Sequence, residues 1–312
     1  MRGVLGHVTS WRLSLAAVVC LTLVVDPGPA AQAAGAVMRY VHNGPESPLD
    51  RRYTYQWAIL AAALERTRAA YGPYSIDTAE FMTETRQRFE LARASGRLSV
   101  MYLGTTPEME RELTPIRIPV DLNLGGYSVF LIKKNRQAEF ASVRSLDDLR
   151  RFSFGLGLGW LDADILRASR LKVVTGSSYN GLFEMAENAR FDAFPRAAVE
   201  VLDEYALRKD AMQSLAIERE LVLSYPMPMY FWFSSTAEGR RLAERAEAGM
   251  RLMLGDGSYA RVFRQYQDRK IRTLDLMGRR VITIPNPFLS PDTPFADRRL
   301  WFDPRSYRAG KS

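Results

Sequence analysis

Residues 145–166, SLDDLRRFSFGLGLGWLDADIL, and residues 171–196, LKVVTGSSYNGLFEMAENARFDAFPR, decide the fold. Ser145 followed three residues on by Asp148 is a weak capping box, so a short helix starts here with Leu146 and Leu149 pointing inward. Phe152 to Leu156 is a short apolar run bounded by glycines and predicts a buried strand. Gly155, Gly157 and Gly159 then make a tight strand-to-helix turn, with Asp162 as the expected cap of the next helix. Lys172 to Val174 predicts a second strand. A polar loop over Thr175 to Ser178 feeds a helix carrying Leu182, Phe183, Ala186 and Ala189, and Phe191 to Phe194 predicts a third strand. Strands alternating with short helices give an α/β layer with parallel strands. Ligands in such sheets sit beyond the carboxyl ends of the strands, so the 157–160 turn, the 175–178 loop and Pro195–Arg196 share one rim.

The same stretch resembles the second lobe of bacterial periplasmic solute-binding proteins of the amino-acid-binding type, solute-binding family 3. Two more segments resemble that family: "PIRIPVDLNLGGYSVFLIK" (Pro115–Lys133), as its crossover into the second lobe, and Arg245–Tyr266, with "LGDGSYARVFRQY", as its closing helix pair. Together they cover most of residues 36–270. The resemblance implies a two-lobed periplasmic-binding-protein-like fold of type II, with two hinge crossings and a ligand held in the cleft. The expected organisation is a signal peptide over 1–34, lobe one over 36–125 and 229–278, and lobe two over 126–228. A Pro-rich extension over 279–312 is expected to pack on lobe one as an extended strap, because it is too proline-rich for regular structure and too apolar for a free tail.

Composition sets the class. The chain has 312 residues, 47% hydrophobic and 25% charged, enough for two lobes of ordinary size. The formal net charge of +8 comes from scattered arginines, so a solvated basic surface is the reading and no nucleic-acid motif accompanies it. Arg2 and Arg12 precede an apolar run from Leu13 to Val25, and Ala31-Gln32-Ala33 offers a cleavage pattern, which is a targeting segment. The one cysteine, Cys20, lies inside that run. The expected location is the periplasm, without disulfides.

From the start, Val37 to Val41 predicts a strand, and Tyr53, Trp57, Leu60, Ala61 and Leu64 fall at helical spacing. Tyr74 to Ile76 predicts a strand, Thr83 a helix cap and Leu98 to Leu103 a third strand. Pro226 and Pro228 mark the second crossing. Met229 to Ser234 returns as a strand. Helices follow over 238–254 and from Ser258, read as a cap.

No catalytic motif stands out. After cleavage one histidine, His42, remains; zinc sites and the usual triads are not expected, and neither a cofactor nor a catalytic residue is assigned. The glycines at 155, 157 and 159 lack the spacing of a dinucleotide fingerprint and read as points of close backbone approach.

Family members that bind α-amino acids carry a carboxylate-binding arginine after a Thr-Pro pair. Here Thr106-Pro107 is followed by Met109 at that place, with Arg111 two residues later as a substitute. The acidic residue expected after the third strand of lobe two is replaced by Pro195-Arg196-Ala197. Arg196 has two readings: a bidentate clamp for an anionic or carbonyl-rich ligand, or an arginine paired with Glu200 one turn on. Trp160 either stacks on a ligand or fills the core. Tyr102, Thr105 and Thr106 offer cleft hydroxyls or cap a strand. Thr175, Ser177 and Ser178 offer hydroxyls to a ligand or form a solvated loop. Tyr127, Arg51 and Tyr53 complete the candidates, with surface or core roles as alternatives.

The resulting expectation is a monomeric binding protein that closes its lobes over a small polar, anionic or amino-acid-like solute. By resemblance it would serve an inner-membrane ABC permease. A ligand-sensing module for a membrane receptor and a dehydratase-like enzyme on the same scaffold are the alternatives.

Overall fold

The computed structural model of the protein describes Gly3, residues 37–305 and Tyr307. The targeting segment expected over 1–34, Gly3 apart, lies outside these residues. The chain order is β1 (Met38–His42), α1 (Thr54–Arg66), α2 (Arg68–Tyr71), β2 (Tyr74–Thr78), α3 (Glu84–Ala92), β3 (Met101–Gly104), α4 (Pro107–Glu112) and β4 (Leu113–Ile116). After a first crossing come β5 (Tyr127–Lys133), α5 (Gln137–Ala141), α6 (Leu146–Leu149), β6 (Ser153–Gly157), α7 (Leu161–Ala168), β7 (Lys172–Gly176), α8 (Tyr179–Glu187), β8 (Ala193–Ala197), α9 (Val201–Arg208), β9 (Leu215–Ile217) and β10 (Leu221–Ser224). The chain returns through β11 (Met229–Ser234), α10 (Ala237–Gly255) and α11 (Ser258–Leu274), and ends with β12 (Arg280–Thr283).

Among the described residues the strands make three sheets, two in lobe one and one in lobe two. In lobe one, β1 and β2 pair in parallel, and the returning β11 lies between β3 and β4, antiparallel to both. Lobe two is built on a seven-stranded sheet of order β12-β10-β5-β8-β6-β7, with β9 also on β5. β6 is parallel to β7 and β8, as the alternation of strands and helices requires. The capping box at Ser145 and Asp148 is formed at α6. Asp162 does not cap α7, since Trp160 takes that position. Ser258 does not cap α11 either; Gly257, with φ 75°, precedes that helix in a left-handed conformation that glycine adopts without strain.

The two crossings are bound to each other. Leu122 and Asn123 both have positive φ, 52° and 63°. Asp121 holds that turn by accepting from the backbone N–H groups of Asn123 at 3.0 Å and Gly125 at 2.7 Å. Asn123 Oδ1 accepts from Met227 N–H of the second crossing at 2.7 Å. Tyr55 and Tyr259 both donate to the Val120 carbonyl at 2.8 Å.

The extension does not pack on lobe one alone. Its strand β12 joins β10 in parallel, as the outer strand of the lobe-two sheet. The cause is its alternation: Ile282 and Ile284 are buried in the lobe-two core, while Val281 before them and Thr283 between them are exposed, the pattern of a half-covered edge strand. Beyond β12 the chain meets both crossings. Asn286 donates to the Pro226 carbonyl at 2.9 Å, and Phe302 N–H to the Leu122 carbonyl at 2.6 Å. Phe302 packs against Phe263 of α11, and Asp292 pairs with Arg117 at 3.1 Å, so lobe one receives the far part. Among the described residues no helix is long and apolar enough to cross a membrane.

Candidate binding cleft

A chamber partly open to solvent lies between the lobes. Lobe one supplies Arg52 and Tyr53 just ahead of α1, Glu84 at the first residue of α3, and Tyr102 to Gly104 at the end of β3. The crossings supply Asp121, Gly125 and Met227. Lobe two supplies Trp160 and Asp162 at the start of α7, Pro195 to Ala197 in β8, and Glu200. Local sequence explains these placements. Thr83 caps α3, which fixes Glu84 at the helix N-terminus, where a negative charge is favoured. Gly159 turns the chain at φ 83°, and Gly157 is bare because a Cβ there would strike the Trp160 indole. Gly155 leaves room for the Phe191 ring in the same way, so these two glycines serve packing.

Both arginines of the chamber are already matched by acids. Arg196 is 4% exposed; its Nε donates to Glu204 at 2.7 Å, and its Nη2 to Glu204 at 2.6 Å and Glu200 at 2.5 Å. Arg52 makes a fork with Asp50, Nε and Nη2 each donating at 2.8 Å. Arg52 also lies over the Tyr179 ring at 4.0 Å, and Arg196 over the Trp160 ring at 5.1 Å, cation–π contacts that fix both guanidiniums.

The carboxylates outnumber them. Glu84, Asp121, Asp162 and Glu200 all line the chamber, in addition to Asp50 and Glu204 behind it. Burial, with Asp162 and Glu200 close by, pushes Glu84 up to about 7. Burial and the neighbouring Glu204 push Glu200 up to about 7 against the pull of Arg196. Burial raises Asp121 to about 6 despite its two backbone donors, and raises Asp162, whose carboxylate accepts from the Tyr225 hydroxyl. Burial alone would raise Glu204 too, but Arg196 and the Tyr179 hydroxyl hold it below its ordinary value. No ion pair is formed by Glu84 or Asp162 among the described residues. The chamber therefore holds more acids than arginines, and its negative charge grows as pH rises through about 6 to 7. Among the described residues no group of His, Cys, Asp or Glu side chains is arranged to hold a metal ion.

Of the residues expected from sequence, the structure brings Arg196, Trp160 and Tyr102 together in the chamber, with Tyr53. Ser177 and Ser178 lie at the mouth, where Ser178 caps α8. Thr175 is a β7 residue and lines neither space. Thr105 is buried and donates to Glu110 at 3.0 Å, and Thr106 caps α4. Arg111 has a 68% exposed side chain paired with Glu108, well outside the chamber, because α4 turns it to solvent. Tyr127 donates to the Phe302 carbonyl at 3.1 Å and holds the extension. Arg51 is exposed. His42 stacks on Trp57 at 4.2 Å, outside the chamber. Sequence reading missed Arg52, Glu84, Asp121 and Glu200 as lining residues and took Asp162 for a cap. Asp50 two residues before Arg52 was the one available signal.

No family model matches the sequence, and no match is found among curated proteins. Solved structures do match. An ancestral arginine-binding protein bound to arginine aligns with a TM-score of 0.53 at 16% identity, over 75% of this chain and 99% of that one. A histidine kinase sensor domain similar to periplasmic binding proteins gives 0.53 at 13% identity, over 75% and 96%. The GluR0 ligand-binding core in complex with L-glutamate gives 0.55 at 12% identity, over 75% and 99%. At these identities the likeness is one of fold. The chain has the two-lobed, type II periplasmic-binding-protein-like α/β fold, the fold of these amino-acid-binding proteins.

Proposed function

We propose that this protein is a periplasmic solute-binding protein, exported by a cleaved signal peptide, that closes its lobes over a small cationic, amino-acid-like solute and delivers it to an ABC-type importer. The observation that carries this reading is the chamber itself. Both lobes line it, and its carboxylates exceed its arginines. A guest touching both lobes favours the closed arrangement by its extra contacts there. The expectation of an anionic solute rested on Arg196, and that guanidinium is already neutralised by Glu200 and Glu204. Glu84 and Asp162, one from each lobe, are the groups an ammonium or guanidinium would join. The Nη1 groups of Arg52 and Arg196 make no hydrogen bond among the described residues, which leaves donors for a carboxylate on the same molecule.

Calorimetry on the mature protein with matched solutes tests this. Primary amines and basic amino acids are expected to bind, and dicarboxylates of the same size are not. Binding restricted to the dicarboxylates would overturn the reading.

A further inference from the structure

The C-terminal extension is anchored in both lobes. On lobe two, Ile282 and Ile284 of β12 are buried in the core, and Ile284 N–H donates to the Ser224 carbonyl at 3.0 Å. Arg279 Nη1 adds bonds to the carbonyls of Glu218 at 2.6 Å and Leu221 at 3.1 Å. On lobe one, Leu300 and Phe302 are buried in the cluster that holds Tyr55, Tyr259 and Phe263. The Tyr307 hydroxyl donates to Asp268 of α11. The piece between these anchors is short. Five residues separate Asn286, bound to the second crossing, from Asp292, paired with Arg117. Two of them are prolines, whose φ is fixed. Turns take up the rest: Asn286 Oδ1 accepts from Phe288 N–H at 2.9 Å, and Thr293 Oγ1 donates to the Ser290 carbonyl at 2.7 Å. Phe288 stands beside Leu103 and Gly104 of lobe one and Gly159 and Leu161 of lobe two. The piece therefore runs along the side where the lobes part.

We propose that the extension is a third connection between the lobes, a tether that limits how far they open. The two crossings alone leave a hinge free to bend. With the tether in place, the lobes part further only by breaking its turns or drawing an anchor out of a core. A restrained opening also leaves less freedom to be lost when a guest draws the lobes together. The proposal needs the two-lobed fold and no particular ligand, so its failure would leave the reading of the chamber standing.

The test measures the spacing of the lobes without ligand. Cys20, in the expected signal peptide, is the one cysteine, so labels can be placed at will in the mature chain. Glu80→Cys and Leu158→Cys put spin labels at exposed positions on opposite lobes, and pulsed electron resonance reads the distances between them. One variant carries about ten Gly and Ser residues inserted after Pro291, which is exposed; this adds roughly 17 Å of reach and keeps every anchor. A second ends at Pro291 and loses the lobe-one anchors. Both are expected to shift the distances longer, beyond the spread of the tethered protein. Unchanged distances in both variants would overturn the proposal. So would a shift in the truncated chain alone, since lost packing and not the length of the connection would then be the cause.

Discussion

Two buried arginines, one in each lobe, are satisfied in opposite ways. Arg245 of α10 is fully buried and donates to the carbonyls of Gly72 at 2.8 Å, Leu64 at 3.3 Å and Pro73 at 3.3 Å, and to Thr67 Oγ1 at 3.2 Å. Every one of these acceptors is neutral, and the Tyr74 ring at 5.1 Å covers its face. Arg196 of β8 is held by two carboxylates, and Asp162 and Glu84 stand near with no arginine of their own. Around Arg245 the polar groups of one helix end are finished off and nothing is left over. Around Arg196 negative charge is left over, in a space that water and small molecules can enter. Surplus charge in a cleft costs stability unless something else serves it, which is why this region reads as a site and the other as structure.

The largest effect separates the two regions by stability. Arg245→Met is expected to leave the Gly72 carbonyl without a partner and to take a donor from Leu64, Pro73 and Thr67 in the α1–α2 corner, at a cost of about 3 kcal/mol, or roughly 6–12 °C of melting temperature at this chain length. Its effect on ligand affinity should be small. A melt within about 2 °C of the unsubstituted protein would break the comparison.

Glu84→Gln should act the other way round. It removes one of several like charges, so the unliganded melt is expected to rise slightly, while the affinity for a cationic amine falls about tenfold, some 1.4 kcal/mol. A fall in both would show that Glu84 serves structure. The pH dependence carries the same signature. Glu84 and Glu200, pushed up to about 7, and Asp121, pushed up to about 6, hold protons in the folded protein that the unfolded chain has released. Unliganded stability should therefore fall as pH rises from about 4.5 to 7. His42, which burial lowers, works in the opposite sense as a single group. A cation needs the ionised forms, so amine affinity should climb over the same window. Calorimetry at pH 5.5 and 8 decides it, and a flat affinity would remove these carboxylates from the site.

How much of this was written in the sequence follows from how local each feature is. The strands and helices of 145–196 rest on short-range patterns: a capping box at Ser145, glycines that make room for Trp160 and Phe191, and apolar runs of strand length. The second crossing was marked by Pro226 and Pro228. The partner of β12 was not legible, because the alternation at Val281, Ile282 and Ile284 says that an edge is sought and not which one. Arg52 was hidden beside Arg51. Two adjacent arginines look alike until the turn at Asp50 sends one inward and leaves the other exposed. Glu84 reads as an ordinary first-turn acid of a helix, and only the arrival of lobe two opposite it makes it part of a chamber.

The smallest expected effect tests that last point most sharply. Arg111 and Arg52 are both lobe-one arginines, and the family resemblance singled out the neighbourhood of Arg111. Its guanidinium is in solvent with Glu108 at 3.5 Å, an exposed pair one turn apart on a short helix, and such pairs contribute about 0.5 kcal/mol or less. Arg111→Ala should therefore shift amine affinity by less than about twofold, since 1.4 kcal/mol is needed for tenfold. Arg52→Met should lower the affinity of a basic amino acid well beyond that, because the Nη1 donor for its carboxylate would be lost and the Tyr53 and Tyr179 rings would lose the guanidinium packed on them. If Arg111→Ala instead proved the more damaging of the two, lobe one would have to present α4 to the ligand, and the chamber described here would not be the place where it binds.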